Sequence, residues 1–214
     1  GLGIDNIKRL QLLHRSALEA SLDFKLGPKN LLITFHPVTL ETDTAEKQMK
    51  ELLRALEVLE DTQLIFTQPN ADTDGRALIK MVEKFVAQHP NASAYTSLGQ
   101  LSYLSCIAQV DGVVGNSSSG LTEVPSFKKG TINIGDRQRG RLQAESVINC
   151  EPTCESIAAA LEQLYSIDFQ MSLHQVTNPY GEGGASEAII STIKAVSLDG
   201  LLKKRFYDVG KECA

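Results

Sequence analysis

Short apolar runs alternate along the chain with longer stretches in which apolar residues recur every three or four positions. The runs predict buried β-strands, because they are apolar throughout and are bounded by turn-forming residues. The longer stretches predict amphipathic helices with one apolar face. The predicted strands cover residues 30–35, 62–68, 92–96, 111–115, 130–135 and 146–150. The predicted helices cover residues 44–59, 75–89, 98–109, 119–127 and 154–166, followed by one or two closing helices from residue 186.

This alternation of strands and helices predicts an α/β fold built on a doubly wound parallel sheet. The strands are apolar on both faces, which is expected when helices cover both sides of the sheet. The sequence contains no internal repeat and no low-complexity segment, so we predict one Rossmann-like domain over residues 1–195. Residues 196–214 are predicted to form a C-terminal helical tail.

The composition of the 214 residues argues against several classes of protein. A formal net charge of −5 and a pI near 5.4 argue against a nucleic-acid partner, which usually needs a basic face. No apolar run approaches the ~20 residues of a membrane span and no signal peptide is recognisable, so we expect no membrane association. The few cysteines lack the paired spacing of a zinc or redox site, which favours reduced thiols and a cytoplasmic location. The chain opens on Gly1, directly before a helix-like pattern, and we expect it to be a piece of a longer protein.

Four polar loops follow the first four predicted strands, and they are the candidate ligand-binding segments. Ligands of doubly wound sheets bind beyond the carboxyl ends of the strands, where loops lead into helices. The loops are HPVTLETD, QPNADTDG, TSLG and GNSSSG.

GNSSSG offers backbone amides and serine hydroxyls at the predicted start of a helix, which is typical of a phosphate cradle. The alternative interpretation is a plain turn with Ser119 as the helix N-cap. Glu123 falls one turn into the predicted helix, where its carboxylate could accept both hydroxyls of a ribose. The alternative there is an acid that complements the helix dipole.

Other polar residues of these loops are weaker candidates by themselves. His36 ends a strand before Pro37 and could bind phosphate or protonate a leaving phosphate oxygen, although a lone histidine is often only tolerated. Asn70 follows a proline and is first a turn residue. Arg137 opens the run RQRGR after a strand, where arginines face either phosphate or solvent. The chain has neither a Walker lysine motif nor a strand–GxGxxG–helix fingerprint, so ATPase and dinucleotide chemistry are not supported.

Taken together and in order, these loops resemble one family. Five segments are similar to segments of the hydrolysing UDP-N-acetylglucosamine 2-epimerases of the bacterial sialic-acid pathway. They are HPVTLE, QPNADTDGR, SLG before YLS, GNSSSGLTEVPSFKKGTINIGDRQRGR and YGEGGASE. Close relatives of that family act on the diacetylbacillosamine sugar nucleotide. The resemblance runs from GLGIDNI to about Lys204, and GNSSSG-x2-E followed by GDRQRGR is its most specific part. It implies one half of a glycosyltransferase-B arrangement, the C-terminal UDP-binding half, with the N-terminal catalytic domain absent from this chain.

The resemblance also implies roles for individual residues. His36 is the one catalytic candidate, beside the diphosphate of bound UDP, and Glu123 corresponds to the acid that holds the ribose. Ser97 stands where some relatives have a histidine near the uracil. The complete set of UDP-binding residues implied is His36, Asn70, Ser97, Ser117, Ser118, Gly120, Glu123 and Arg137.

The chemistry implied is elimination of UDP to give a 2-acetamidoglucal, followed by addition of water, which inverts C2 and releases N-acetylmannosamine. The family's candidate carboxylate base and acid lie in the other half, so this chain would supply the leaving-group side. The resemblance implies no metal, nicotinamide or other cofactor. The partners that it implies are a UDP-sugar substrate and, for the full-length protein, further copies of the same protein in a homo-oligomer. The alternatives are a hydrolysing 2-epimerase of UDP-diacetylbacillosamine, a UDP-sugar glycosyltransferase half, and a binding-only module that senses a sugar nucleotide.

Overall fold

A computed structural model describes residues 1–37, 44–59, 61–69, 73–200 and 202–203 of the chain. Within these ranges, six strands form one sheet in which every pair of neighbours is parallel, in the order 3-2-1-4-5-6 along the chain. The predicted doubly wound parallel sheet is therefore confirmed. The strands are β1 (Lys29–Thr34), β2 (Thr62–Thr67), β3 (Ala92–Tyr95), β4 (Gly112–Gly115), β5 (Gly130–Ile134) and β6 (Val147–Cys150).

Helices connect the first five strands and cover both faces of the sheet, and they agree with the sequence pattern over most of the chain. The predicted helix at 119–127 divides into a single α-helical turn and the 3₁₀ turn Val124–Phe127, with Pro125 near the start of the latter. Proline is tolerated there because the first N–H groups of a helix have no partner within it. The α-helices are α1 (Leu2–Arg9), α2 (Arg15–Leu22), α3 (Ala45–Glu57), α4 (Thr73–Gln88), α5 (Gly99–Gln109), α6 (Ser119–Thr122), α7 (Cys154–Tyr165), α8 (Ile167–Ser172) and α9 (Ala185–Ala195).

Two apolar clusters, one on each face of the sheet, form the core. On β1, Leu31 and Ile33 join the cluster beneath α3, α4 and α7, whereas Leu32 joins the cluster beneath α2 and α5. All three side chains are fully buried. The continuous apolar run of β1 therefore reflects helices on both faces, as in other parallel sheets.

The strand order places a topological switch point between β1 and β4. β1 and β4 are neighbours in the sheet. The strand that follows β1 in sequence, β2, lies on one side of this pair, and the strand that follows β4, β5, lies on the other side. The connections that follow β1 and β4 consequently diverge and leave a crevice at their carboxyl ends.

Asp5 in α1 joins the beginning of the chain to α9. Its carboxylate accepts hydrogen bonds from the Gly184 amide (2.6 Å), the Ser186 amide (2.7 Å) and the Ser186 hydroxyl (2.6 Å). The hydroxyl bond, followed by the amide bonds, lowers the pKa of Asp5 from its ordinary 3.8 to about 2. The carboxylate thus satisfies N–H groups at the start of α9 that the helix itself cannot.

We expect Asp5→Ala to lower the free energy of unfolding at neutral pH. Because the pKa in the folded state, about 2, lies below the ordinary value of 3.8, this contribution is complete above about pH 4 and is lost as the pH falls toward 2. Urea unfolding of parent and variant between pH 7 and pH 2.5 measures it, with exposed Asp199→Ala as the control. A gap between parent and Asp5→Ala that is independent of pH would contradict this prediction.

The predicted C-terminal tail is covered only in part. Residues 196–200 and 202–203 form a bend and turns without a helix, and the rest of the tail lies outside the described residues. The helical tail and its boundary at residue 195 stay predictions. No helix in the described ranges has the length and apolar character needed to cross a membrane.

Candidate functional site

The carboxyl ends of β1 and β4 lie side by side at the switch point. Thr34 is aligned with Gly115, and the amide of Asn116 donates to the Thr34 carbonyl (3.2 Å), which extends the strand pairing by one residue. His36 follows β1 closely, so it lies directly opposite Asn116. The loops HPVTLETD and GNSSSG therefore begin at one place, although they are about 80 residues apart in sequence.

The Asn116 side chain fixes the backbone of His36. Its Oδ1 accepts from the His36 amide and its Nδ2 donates to the His36 carbonyl, both at 2.8 Å. Asn116 is 1% exposed. Sequence reasoning did not single it out, because its partner is distant in sequence and an asparagine beside a glycine first suggests a turn.

The Asn116 carbonyl brings in the segment after β5. It accepts from Arg137 Nη1 (3.0 Å) and from Gln138 Nε2 (2.7 Å). Partial burial, and then repulsion by Arg141, lower the pKa of Arg137, which stays a cation at neutral pH. Arg137 has no carboxylate partner in the described part of the chain. Among the described residues, no salt bridge neutralises this positive charge in the crevice.

The serine loop presents polar groups that the protein does not use. Among the described residues, the amides of Ser117 and Ser118 donate no hydrogen bond, and both residues are half-buried. Ser119 is the first residue of α6 and not its N-cap, so the alternative interpretation of Ser119 is wrong. Since α6 is one turn long, its dipole adds little to the electrostatic potential at this loop.

Gly120 lies beneath this loop as a packing residue. The Thr131 hydroxyl donates to the Gly120 carbonyl at 2.8 Å, and a β-carbon on Gly120 would lie 2.6 Å from Thr131 Cγ2. A side chain here would push α6 away from β5. Direct contact of Gly120 with a ligand stays a prediction.

A polar cleft of about 380 Å³ extends from the switch point across the ends of β2 and β3. Ser97 and Ser117 both line it, so two of the predicted site residues share one cavity. Its volume is within the range of small-molecule sites. On its floor, the hydroxyls of Thr34 and Thr67 are 2.7 Å apart.

The buried side of this cleft contains two further hydroxyls. The Ser119 hydroxyl is buried without a hydrogen-bond partner of normal geometry in the described ranges. Burial raises the pKa of the Tyr103 hydroxyl. Hydrogen bonding with the Ser119 and Thr34 hydroxyls lowers this pKa in part, and the charge of Glu123 raises it. Tyr103 lines the cleft, whereas Glu123 is not among the described residues that line it.

Glu123 is held between the serine loop and the first helix. Its amide donates to the Ser119 carbonyl (2.9 Å), and a β-carbon on Gly3 of α1 would lie 3.1 Å from Glu123 Oε1. Its side chain is half-buried, and its carboxylate accepts no hydrogen bond from another described residue. Oε1 thus packs against α1, and neither carboxylate oxygen accepts from a donor in the described ranges.

Asn70 is the one predicted site residue that lies outside the described residues, so its role stays a prediction.

A second cavity, of about 630 Å³, lies at the ends of β5 and β6. It is lined by residues that include Gln48, Arg139 and Glu151, and by none of the predicted site residues. Within the described ranges, no group of three histidine, cysteine or acidic side chains could hold a metal ion.

Three relatives share sequence with most of this chain. The chain spans about half the length of each, so they contain roughly one more domain. A GDP/UDP-N,N'-diacetylbacillosamine 2-epimerase (hydrolyzing) of Campylobacter jejuni is 38% identical over 95% of this chain and 53% of that protein. The polysialic acid biosynthesis protein P7 of Escherichia coli is 34% identical over 99% of this chain and 54% of that protein. A UDP-N,N'-diacetylbacillosamine 2-epimerase (hydrolyzing) of Legionella pneumophila is 28% identical over 92% of this chain and 50% of that protein.

Solved structures have the same fold. The structure of Staphylococcus aureus MnaA with UDP matches with a TM-score of 0.69 and 18% identity, over 97% of this chain and 54% of that chain. The Methanocaldococcus jannaschii UDP-GlcNAc 2-epimerase in complex with UDP-GlcNAc and UDP matches with a TM-score of 0.65 and 15% identity, over 90% and 51%. The fold is that of one half of a glycosyltransferase-B-type enzyme.

The family profile for UDP-N-acetylglucosamine 2-epimerase matches residues 2–194, which include the whole sheet and every predicted site residue. This agrees with the resemblance carried by the serine loop and the RQRGR segment. The chain belongs to the UDP-N-acetylglucosamine 2-epimerase family.

Proposed function

We propose that this chain is the UDP-binding half of a hydrolysing UDP-sugar 2-epimerase. The observation that carries the proposal is the meeting of three segments at the switch point. There, the amides of Ser117 and Ser118, which donate to no described residue, share one crevice with His36 and with Arg137, which has no carboxylate partner among the described residues. Amides, hydroxyls and a guanidinium are the donors that diphosphate requires. The diphosphate of UDP binds at this point.

The nucleoside occupies the neighbouring polar cleft. Glu123 accepts the two ribose hydroxyls, which is supported by its place one turn after the serine loop and by the lack of any hydrogen bond to its carboxylate from another described residue. The uracil extends toward Ser97, at the far end of the cleft. Asn70 contributes to the same site as one further residue of the family pattern.

In the reaction, a base in the other half of the protein removes the proton from C2 of the sugar. The electron pair forms the C1–C2 double bond as the C1–oxygen bond breaks and UDP leaves. Arg137 and the serine loop stabilise the charge that develops on the diphosphate, and His36 donates a proton to it. Water then adds its oxygen to C1 and a proton to the opposite face of C2, which gives N-acetylmannosamine.

The substrate is UDP-N-acetylglucosamine, and the product serves the biosynthesis of sialic-acid-type sugars. The name of the Escherichia coli relative supports this assignment. UDP-diacetylbacillosamine is a second candidate substrate, favoured by the names of the Campylobacter and Legionella relatives. The full-length protein is a cytoplasmic homo-oligomer in this proposal, and free thiols at Cys106, Cys150 and Cys154 are consistent with a reducing compartment.

The full-length protein, incubated with UDP-N-acetylglucosamine and no acceptor, tests this function. We expect release of UDP together with N-acetylmannosamine, and a parallel reaction with UDP-diacetylbacillosamine compares the two substrates. Release of UDP only when an acceptor is added would favour a glycosyltransferase, and binding of UDP without turnover would favour a sensing module. The 214-residue chain alone should bind UDP and release no sugar.

A further inference from the structure

We propose that Asn116 is a positioning residue that holds His36, the serine loop and Arg137 in the one arrangement that fits a diphosphate. This rests on the proposed function, because it assumes that the three segments bind the diphosphate of UDP. Asn116 itself need not touch the ligand. It acts through the groups that it fixes.

The side chain of Asn116 replaces a backbone pairing. β1 ends at Thr34 and β4 ends at Gly115, so the backbone of His36 lies past the last paired residues of these two strands. The amide group supplies one acceptor and one donor at 2.8 Å, which match the N–H and the carbonyl of His36. These partners also fix the orientation of the amide, since an N–H can only donate and a carbonyl can only accept.

The backbone of Asn116 completes the connection to β5. Its carbonyl accepts from Arg137 and from Gln138, so one buried residue contacts the segments that follow β1, β4 and β5. Gln138 is 1% exposed, and its Oε1 has no hydrogen-bond partner in the described ranges. Within the described ranges, the hydrogen bond from Gln138 Nε2 to the Asn116 carbonyl is therefore the one hydrogen bond that the Gln138 side chain makes.

Few other side chains could hold His36 in this way. Alanine removes both of the hydrogen bonds that join Asn116 to the backbone of His36. Serine is shorter and cannot bridge both groups. Either change frees the backbone of His36 to move relative to the serine loop, and loss of one hydrogen bond to a charged diphosphate weakens binding ~10-fold or more.

Asn30 provides a matched control at the opposite end of β1. Its Oδ1 accepts from the Gly27 amide (2.8 Å) and its Nδ2 donates to the Gly27 carbonyl (3.0 Å). It is 2% exposed, against 1% for Asn116. Residue type, burial and the reciprocal pair of hydrogen bonds are thus matched, whereas the partner of Asn30 is 3 residues away in sequence and the partner of Asn116 is 80 residues away.

The test compares Asn116→Ala, Asn116→Ser and Asn30→Ala in the full-length protein. Calorimetry measures the affinity for UDP and for uridine, and thermal unfolding measures stability. We expect all three variants to unfold at lower temperature. The Asn116 variants should bind UDP ~10-fold more weakly or worse, with uridine affinity within about twofold of the parent, because the hydrogen bonds to the charged diphosphate are the ones displaced. Asn30→Ala should retain both affinities.

The outcomes separate this inference from the proposed function. If the parent binds no UDP, the proposed function fails, and this inference fails with it. If the parent binds UDP and a folded Asn116 variant binds it equally well, the positioning role alone is overturned. Equal losses for UDP and uridine, or the same loss in Asn30→Ala, would also overturn it, since they would indicate general destabilisation. Asn116→Ser keeps the comparison available if Asn116→Ala does not fold.

Discussion

Changing His36 to asparagine in the full-length protein is expected to lower turnover by ~100-fold or more, while the affinity for UDP changes by only a few fold. A general acid at the departing diphosphate acts in the transition state, so its loss lowers kcat more than it weakens binding. Asparagine can still donate a hydrogen bond but cannot deliver a proton. The position lies on a loop at the crevice, so the fold should be preserved.

His89→Asn is the matched control for this change. His89 is half-buried like His36, but it lies after α4, where its ring stacks on Phe85 and its Nδ1 lies 2.7 Å from the Phe85 carbonyl. We expect its turnover to equal that of the parent. Steady-state kinetics with UDP-N-acetylglucosamine measure both variants. A His36→Asn enzyme with unchanged kcat would remove His36 from the catalytic step.

Gly115→Ala is expected to produce the largest loss of stability, more than ~4 kcal/mol. Gly115 has φ of +140°, a backbone conformation that side chains rarely adopt, and a β-carbon there would lie 2.0 Å from the Thr34 carbonyl oxygen. Backbone on both sides prevents a local adjustment, since Thr34 is paired with Gly115 in the sheet. The change would separate β1 from β4 at the point where the crevice begins.

Gly140→Ala is the control for the backbone conformation alone. Gly140 has φ of +82°, and apart from its two neighbours in the chain no described residue has a heavy atom within 4 Å of the β-carbon that alanine would add. Its cost should therefore be only the strain of a left-handed residue, ~1–2 kcal/mol. Urea unfolding followed by circular dichroism compares the two variants. Similar losses for Gly115→Ala and Gly140→Ala would contradict the close approach of β4 to β1.

The sheet was predictable because its signal is local. Runs such as Leu31-Leu32-Ile33 are apolar at every position, and that alone indicates a strand covered on both faces. The short helices α2 and α8 were not predicted. Both have fewer than three turns, and α8 contains no fully buried residue whose spacing could reveal it. Its N-cap, Ser166, whose side chain accepts from the Phe169 amide, was the available signal.

The candidate site was predictable only as a set of loops. Ser97, Ser117, Glu123 and Arg137 could be named because polar residues follow apolar runs and because the family pattern is specific. Which loops are neighbours depends on the order of the strands, and the sequence does not contain that order in any local pattern. Asn116 was missed for this reason, since its side-chain bonds reach a residue 80 positions away.

The most direct test of the central claim is a map of where UDP binds. Titration of the ¹⁵N-labelled chain with UDP, followed through backbone amide chemical shifts, reports every segment at once. We predict that the largest changes fall on Ser117, Ser118 and Glu123, with smaller ones at Ser97 and His36, and that Asn30 at the far end of β1 is unchanged. Changes confined to the second cavity around Arg139 and Glu151, or no change at saturating UDP, would contradict the proposed nucleotide site at the switch point.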